Sequence, residues 1–186
     1  LQKPVRAKLP EITGLKKESD SGAVSVSVEA PEACIRYSGL TIRGIRVGPS
    51  PAWLQTRLRA IGLNPINNVV DITNFVLHET GQPLHAFDTA AIKGDTVRVR
   101  HLPEKTKFVT LDGVERTLSS SDLMICNQEE GMCIAGVFGG LQSGVTGATT
   151  GLFLESATFS PVSVRRTPRK HDLRTDASYR FELGTD

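Results

Sequence analysis

The chain has 186 residues and a mass of 20.1 kDa, enough for one domain with a buried core or two very small ones. Hydrophobic residues make up 39% and charged residues 23%, which argues against a disordered tail and against a membrane protein. No apolar run approaches the roughly 20 residues of a spanning helix, so we expect no membrane partner. The chain begins at Leu1 without a charged and then apolar leader, so we expect a piece of a longer polypeptide.

Three cysteines, Cys34, Cys126 and Cys133, are an odd number and form no CxxC pair. This count argues against a disulfide framework and against a zinc site. We therefore expect buried reduced thiols, no metal site and a cytoplasmic location.

The net charge is only +2, but the sequence contains two regions rich in basic residues, here called basic stripes. Residues 33–70 contain five arginines and no acidic residue, and the second stripe lies in residues 165–180. Such stripes can hold a phosphate backbone, and the second one gives the candidate nucleic-acid-binding residues Arg169, Lys170 and Arg174. A solvated surface or a protein docking face fits the same charges, and we expect no aromatic stacking platforms to serve the arginines as they would in a nucleic-acid groove.

The N-terminal part is predicted to contain an arm and then strands. Residues 1–30 are expected to form a linker that ends in one strand, in which Val24, Val26 and Val28 alternate. Apolar residues at alternating positions in 35–47 predict one or two further strands. We expect the domain itself to cover residues 31–186.

Two helices are predicted next. Ser50 is the expected cap of the first, Pro51 its first residue and Gly62 its end. The second is expected over residues 68–80, before Gly81. The expected inward-facing residues are Leu54, Leu58 and Ile61 in the first helix, and Val69, Ile72, Val76 and Leu77 in the second.

The remainder reads as short strands and two more helices. Strands are predicted around Val97 and Val99 and within 108–111, 123–126, 132–137 and 151–157, with a hairpin turn at Asp112-Gly113. A helix is predicted from Ser160-Pro161, and a last one from a Thr175 cap to Gly184. The pattern predicts an α+β domain with mostly antiparallel short strands in packed sheets and a few short helices around a central pocket.

Polar residues are unusually dense in the otherwise apolar segment 69–88. Thr73 is expected near the buried face of its helix, where a polar group needs a partner. Gln82-Pro83 should break the helix and place His85 on a loop, where binding groups are common. A structural histidine with satisfied hydrogen bonds is the alternative for His85.

Two further segments are candidates for a binding site. Four glycines in residues 134–144 would let the backbone approach a ligand and leave the amides of Gly139 and Gly140 free to donate, although a simple turn explains them too. Glu155 lies in an apolar run, where it faces either solvent or a half-buried pocket. No G-x-S-x-G, HExxH or paired-cysteine motif is present, so serine nucleophiles and zinc hydrolysis lack a signature.

At these same segments the chain resembles the central editing domain of the β subunit of bacterial phenylalanyl-tRNA synthetase. The resemblance rests on long runs in the same order. They are NNVVDITNFVLHETGQPLHAFD (67–88), LDG (111–113), IAGVFGG with SGV (134–145), LESATFSP (154–161) and RKHDLRTDASYRFELGTD (169–186). They cover most of residues 33–186, and the first thirty residues match less well.

The resemblance implies water-mediated hydrolysis of tyrosine wrongly esterified to the phenylalanine tRNA. By motif position it implies Thr73, Asn74 and His85 as the catalytic group. It implies a substrate-binding set of Pro83, Gly139, Gly140, Glu155, Thr175 and Ala177. The family usually has Met at the position of Phe138, so we expect additional bulk beside Gly139 here.

The implied partners are the phenylalanine tRNA, the tyrosine it carries, the synthetase α subunit and the other β-subunit domains. No cofactor is expected in this domain, because ATP and magnesium are implied only for the parent synthetase. Two alternatives remain open: a catalytically inactive module retained for packing, and a module that only binds RNA.

Overall fold

A computed structural model describes residues 13–14 and 22–185, and it contains ten strands and four α-helices in that part of the chain. The strands are β1 Ser25–Val28, β2 Cys34–Arg43, β3 Leu84–Asp88, β4 Thr96–His101, β5 Lys107–Val109, β6 Glu115–Thr117, β7 Leu123–Cys126, β8 Gly131–Ile134, β9 Phe138–Gly139 and β10 Gly151–Phe159. The helices are α1 Ala52–Ala60, α2 Asn68–Thr80, α3 Pro161–His171 and α4 Asp176–Leu183.

The strands form three sheets. A five-stranded sheet has the order β1-β4-β7-β8-β9, a three-stranded sheet has the order β2-β10-β3, and β5 pairs with β6. Every pair is antiparallel except β1 with β4. The predicted α+β class with mostly antiparallel strands is confirmed.

The long strand β10 joins the sheets through one buried face. Phe153, Ala157 and Phe159 alternate along it and belong to the same hydrophobic core as residues of β4, β7 and β8. Val164 of α3 and Phe181 of α4 close this core. Burial of such aromatic side chains is the main stabilising contribution of a core of this size.

Helix α2 has the predicted bounds because both its ends carry local signals. The Asn67 side chain accepts hydrogen bonds from the amides of Val69 and Val70, and Gly81 ends the helix at a φ of 82°. A side chain is strained at such an angle, which explains the glycine. The predicted inward position of Ile72 is wrong, since this residue is 51% exposed.

The predicted Ser50 cap is wrong as well. Pro51 precedes α1 as its cap residue without a side-chain hydrogen bond, and the Ser50 hydroxyl instead donates to the buried carboxylate of Asp71, 2.5 Å away. Leu54 and Leu58 are buried as predicted, but Ile61 is 53% exposed beyond the end of the helix.

The prediction of a loop around His85 is also wrong. Residues 84–88 form β3, an edge strand that pairs with β10. Of the one or two strands expected within 35–47, the structure has one, β2. The strand expected around Val26 is present as β1, whereas most of the predicted arm lies outside the described residues.

Candidate functional site

A small cavity of about 70 Å³ lies where β3, β8, β9, β10 and α4 meet. Its polar walls are supplied by His85 and Glu155, and Cys133 of β8 also lines it. The other lining residues are Pro83, Leu84, Gly136, Val137, Phe138, Gly139, Ala177 and Phe181. A few polar side chains in an otherwise apolar cavity are the usual composition of a binding site.

The sheet register brings the two polar groups together. His85 of β3 lies directly opposite Glu155 of β10, so both side chains point to the same face of the sheet. Glu155 shares this face with Phe153 and Ala157 and is only 4% exposed. Of the two orientations considered for Glu155, the structure has the one directed into the pocket.

The Glu155 carboxyl has one hydrogen-bond partner. The Tyr37 hydroxyl donates to Oε2 over 2.7 Å. Burial raises the pKa of Glu155 to about 7, and the hydrogen bond from Tyr37 opposes that rise. Near neutral pH this carboxyl therefore exists in both the protonated and the ionised form.

His85 carries the other notable atom of the pocket. Its Nε2 is buried and has no hydrogen-bond partner, while its ring packs edge-on against Phe87 with centroids 4.5 Å apart. Burial lowers the pKa of His85 to about 4, so the imidazole is neutral at pH 7. An unpaired buried nitrogen costs free energy unless a ligand or water meets it, which is the strongest indication of a binding role here.

A tight turn between β8 and β9 forms the wall opposite His85. Gly136 has a φ of 68°, and a Cβ on Gly139 would lie 3.1 Å from His85 Cε1 and 2.7 Å from Leu111 Cδ1. Thr175 caps α4 and also donates to the Val137 carbonyl over 3.0 Å. This second bond ties the start of α4, and with it Ala177, to the turn.

The B3/4 domain model matches residues 33–186, which is most of the chain and includes every lining residue of this pocket. The chain belongs to the B3/4 domain family. The matched region also contains β3, β8, β9, β10 and α4, the elements that build the site, so the family assignment and the site concern the same structural unit.

Close relatives of this B3/4 domain are phenylalanine–tRNA ligase beta subunits. That of Bacteroides thetaiotaomicron is 60% identical over 177 residues, covering 95% of this chain and 22% of the relative. That of Porphyromonas gingivalis is 60% identical over 184 residues, covering 98% of this chain and 22% of the relative. The chain thus spans less than a quarter of the length of these relatives.

A solved structure has the same fold. It is an N-terminal fragment of the phenylalanyl-tRNA synthetase beta-subunit from Pyrococcus horikoshii, with a TM-score of 0.53 and 13% identity. The match covers 79% of this chain and 49% of that one. At this identity the likeness concerns the fold alone.

The B3/4 pocket brings together five of the nine residues predicted for catalysis and substrate binding. These five are Pro83, His85, Gly139, Glu155 and Ala177. Thr73 and Asn74 lie on α2 and do not line the cavity, and the Thr73 hydroxyl donates to the Val70 carbonyl over 2.8 Å. Thr175 does not line the cavity either, but its hydroxyl donates to the carbonyl of Val137, which does.

Gly140 lines a different and larger cavity of about 560 Å³, next to Phe108, Met132 and Ser143. Its amide donates to the Met132 carbonyl over 2.8 Å, so it is not free as the sequence suggested. The buried polar side chains of that cavity, Asn127 and Ser143, are hydrogen-bonded within the protein. The smaller cavity is therefore the better candidate site, because of the two cavities it is the one whose lining includes a buried side-chain atom without a hydrogen-bond partner, His85 Nε2.

Sequence reasoning missed Tyr37, Cys133 and Phe181 as members or supports of the site. Nothing local distinguishes Tyr37, which reaches Glu155 from 118 positions away. Burial and the charge of Glu155 raise the pKa of Cys133 well above its ordinary value, so this residue is a thiol in the cavity wall.

The basic stripes lie on the surface. Arg169, Lys170 and Arg174 are all exposed at and just beyond the end of α3.

The first stripe does have aromatic residues packed beside an arginine, contrary to the prediction. Trp53 is 56% exposed and packs edge-on against Phe75, and the Arg57 guanidinium lies 5.8 and 5.9 Å from the two ring centroids.

Within the described part of the chain, no three His, Cys, Asp or Glu side chains are grouped so that they could hold a metal ion. None of the helices described is both long enough and apolar enough to cross a bilayer. The three cysteines are free and buried, as predicted.

The two shifted groups predict opposite effects of pH on stability. From pH 4.5 to 7 the folded chain keeps a proton on Glu155 that the unfolded chain releases, so Glu155 makes the free energy of unfolding fall as pH rises. His85 does the reverse between pH 4 and 6.5, since the unfolded chain binds the additional proton.

Glu155→Gln should therefore become more stable relative to the wild type as pH rises from 4.5 to 7, by up to about 3 kcal/mol. Urea unfolding of both proteins at pH 4.5, 5.5, 6.5 and 7.5 measures this difference, and His85 contributes equally to both. A difference that stays constant with pH would show that Glu155 titrates normally.

Proposed function

We propose that this B3/4 domain hydrolyses tyrosine that is wrongly esterified to the phenylalanine tRNA. The observation that carries the proposal is one pocket lined by the buried Glu155 carboxyl and by its cross-strand neighbour His85, whose Nε2 has no hydrogen-bond partner. The names of the close relatives, which are phenylalanine–tRNA ligase beta subunits, support the choice of tRNA.

Selection of tyrosine over phenylalanine requires a group that binds the phenol hydroxyl. The Glu155 carboxyl is suited to this, because the Tyr37 phenol already donates to one of its oxygens at 2.7 Å. A phenylalanine ring in the same place would leave the buried carboxyl without its second partner. Sites built this way reject the analogue that lacks the hydroxyl by about 10⁴–10⁵-fold in favourable cases.

Hydrolysis of the ester requires a placed water molecule more than a strong base. His85, with its pKa near 4, is a weak base at pH 7, and general bases work best near the operating pH. We therefore assign its Nε2 the role of holding the attacking water by a hydrogen bond. An aminoacyl ester is already reactive, and orientation alone supplies a large share of the acceleration.

The oxygen of the tetrahedral intermediate needs hydrogen-bond donors. The Gly140 amide is occupied by the Met132 carbonyl, which leaves the Gly139 amide beside His85 as the candidate. The role proposed for Thr73 and Asn74 is indirect: they lie in α2, which leads through Gln82 into β3. Gln82 fixes that corner by donating to the Ala157 carbonyl over 3.0 Å.

The wider partners are proposed on the same basis. Exposed Arg169, Lys170 and Arg174 would contact tRNA phosphates, and the synthetase α subunit and the other β-subunit domains would surround this one in the cytoplasm. ATP and magnesium would serve the aminoacylation site elsewhere in that enzyme, and no cofactor is proposed here.

One assay separates this function from its two alternatives. The chain is incubated with tyrosyl- and phenylalanyl-tRNA of the phenylalanine acceptor, and loss of each ester is followed against a no-protein control. Faster loss of the tyrosyl ester supports the proposal. Binding of tRNA without ester loss would favour an RNA-binding module, and neither activity would favour a packing module.

Phe138 limits the room in the pocket and provides a further prediction. A cavity that holds benzene measures about 150 Å³, more than the cavity seen here, so a phenol ring enters fully only if a lining side chain moves. Phe138 is half-buried at this wall, and methionine is narrower and adapts its shape. Phe138→Met should lower the KM for tyrosyl-tRNA several-fold, whereas Phe108→Met in the larger cavity should leave it unchanged. An unaltered or higher KM in Phe138→Met would show that Phe138 does not obstruct the pocket.

A further inference from the structure

We propose that Tyr37 is the positioning residue of this pocket. Its hydroxyl holds one oxygen of the Glu155 carboxyl by a hydrogen bond and leaves the other oxygen for the phenol of the substrate. The inference rests on the proposed function. It assigns a role to a strand, β2, from which no residue lines the cavity itself.

The position of Tyr37 is fixed by its surroundings. It pairs with Ala157 in the register of β2 and β10, two residues along from Glu155. Its ring lies nearly parallel to that of Phe153, at 13° and 6.5 Å between centroids. Gly39, opposite Glu155, has no side chain, and a Cβ there would collide with the Phe153 ring. The strand pairing and the packing against Phe153 therefore fix the direction in which the Tyr37 hydroxyl meets Glu155.

The hydrogen bond divides the carboxyl into two unequal oxygens. Oε2 accepts from Tyr37, whereas Oε1 accepts no hydrogen bond from any residue that the structure describes. A carboxylate has room for several donors, so a second phenol can bind at Oε1 while Tyr37 stays in place. Without Tyr37 the carboxyl could rotate, and neither oxygen would have a fixed direction.

The protonation states of the neighbours suit this arrangement. The titratable groups around Glu155 are Tyr37 and Cys34 from β2, His85 from β3 and Cys133 from β8, and of these Tyr37 is the one whose contact shifts the pKa of Glu155. Burial and the charge of Glu155 raise the pKa of Tyr37 well above its ordinary value, so its hydroxyl remains a donor. All four neighbours are neutral at pH 7, which leaves the Tyr37 hydrogen bond to favour the ionised carboxylate.

The test removes only the hydroxyl, by Tyr37→Phe, with Tyr179→Phe as the matched control because Tyr179 is 60% exposed on α4. Glutamate labelled with ¹³C at the side-chain carboxyl reports the titration of Glu155, assigned by the signal that Glu155→Gln lacks. Binding of p-cresol and of toluene is then measured by NMR between pH 5.5 and 9. Neither probe depends on tRNA.

Tyr37→Phe should raise the pKa of Glu155 by about one unit or more, because a hydrogen bond to the charged form is lost. The pH at which p-cresol binding changes should rise by the same amount, and the preference for p-cresol over toluene at pH 7 should fall at least several-fold. Tyr179→Phe should change neither quantity.

Two results would overturn the inference. An unchanged Glu155 titration in folded Tyr37→Phe would show that the hydroxyl does not position the carboxyl. A raised pKa with an unchanged p-cresol preference would show that the contact is structural only. If the wild type itself does not distinguish p-cresol from toluene, the proposed phenol specificity fails, and the role inferred for Tyr37 in that specificity fails with it. The titration then still reports separately whether the contact exists.

Discussion

Glu155→Ala should hydrolyse tyrosyl-tRNA more slowly and lose much of its preference over phenylalanyl-tRNA. The substitution removes a hydrogen bond to a charged or partly charged acceptor, which contributes about 1.5–3 kcal/mol, or roughly 10- to 150-fold in rate. It also removes the buried carboxyl whose unpaired state penalises phenylalanine. The ratio of the two single-turnover deacylation rates measures both effects together.

Two companion variants make this result specific. Glu155→Gln should give an intermediate ratio, because the amide still pairs with a phenol but more weakly. Glu79→Ala, which removes an exposed carboxylate from α2, should leave the ratio as in the wild type. A ratio that is identical in Glu155→Ala and the wild type, with the fold confirmed by circular dichroism, would place tyrosine specificity elsewhere.

His85→Ala should reduce the single-turnover rate for tyrosyl-tRNA while retaining the preference for the tyrosyl ester. Loss of a proton-transferring group typically costs about 10²–10⁴-fold, and loss of a group that only orients water costs less. Since a His85 with a pKa near 4 is assigned the role of orienting water, we expect a loss below about 10²-fold. In a Glu155→Gln variant that keeps His85, the rate should be nearly constant from pH 6 to 8, because His85 does not titrate in that pH range.

The control for this variant is His78→Ala, an exposed histidine of α2 whose nearest ionic partner is Asp176 at 3.8 Å. His85 lies on a strand and packs against Phe87, so the stability of His85→Ala must be measured alongside its rate. An unchanged rate in a folded variant would remove His85 from the mechanism and leave backbone amides to position the water.

Helix boundaries were predictable from sequence because their signals are local. Asn67 and Gly81 sit at the two ends of α2 and act on backbone groups within three or four residues. The Thr175 cap of α4 is of the same kind, and it forms a reciprocal capping box with Ser178. Where the side chain had a competing partner the local rule failed, as at Ser50, which bonds to Asp71 instead of capping α1.

The site itself depends on pairing between distant strands, which a pattern of residue types does not encode. The segment 84–88 is short and follows Gln82-Pro83, so its sequence predicts a loop. It forms a strand because β10 pairs with it. The direction of Glu155 was open for the same reason, because the buried face of β10 is set by its neighbours β2 and β3. Tyr37 could not be found at all without that pairing.

The family resemblance placed residues in the right neighbourhood but did not separate their roles. Gly139 and Gly140 are adjacent in sequence, yet they line different cavities. Thr73 and Asn74 belong to the same motif as His85, but the helix that carries them ends before the pocket wall begins.

The most direct measurement is a crystal structure of this chain with a non-hydrolysable analogue in which tyrosine is joined by an amide to the 3′ position of adenosine. The account predicts the phenol oxygen at about 2.5–3.0 Å from Glu155 Oε1, with Tyr37 still bonded to Oε2 and the amide carbonyl beside His85 and Gly139. A tyrosine ring bound in the larger cavity near Phe108, or stacked on Trp53, with the Glu155 pocket left empty, would contradict it.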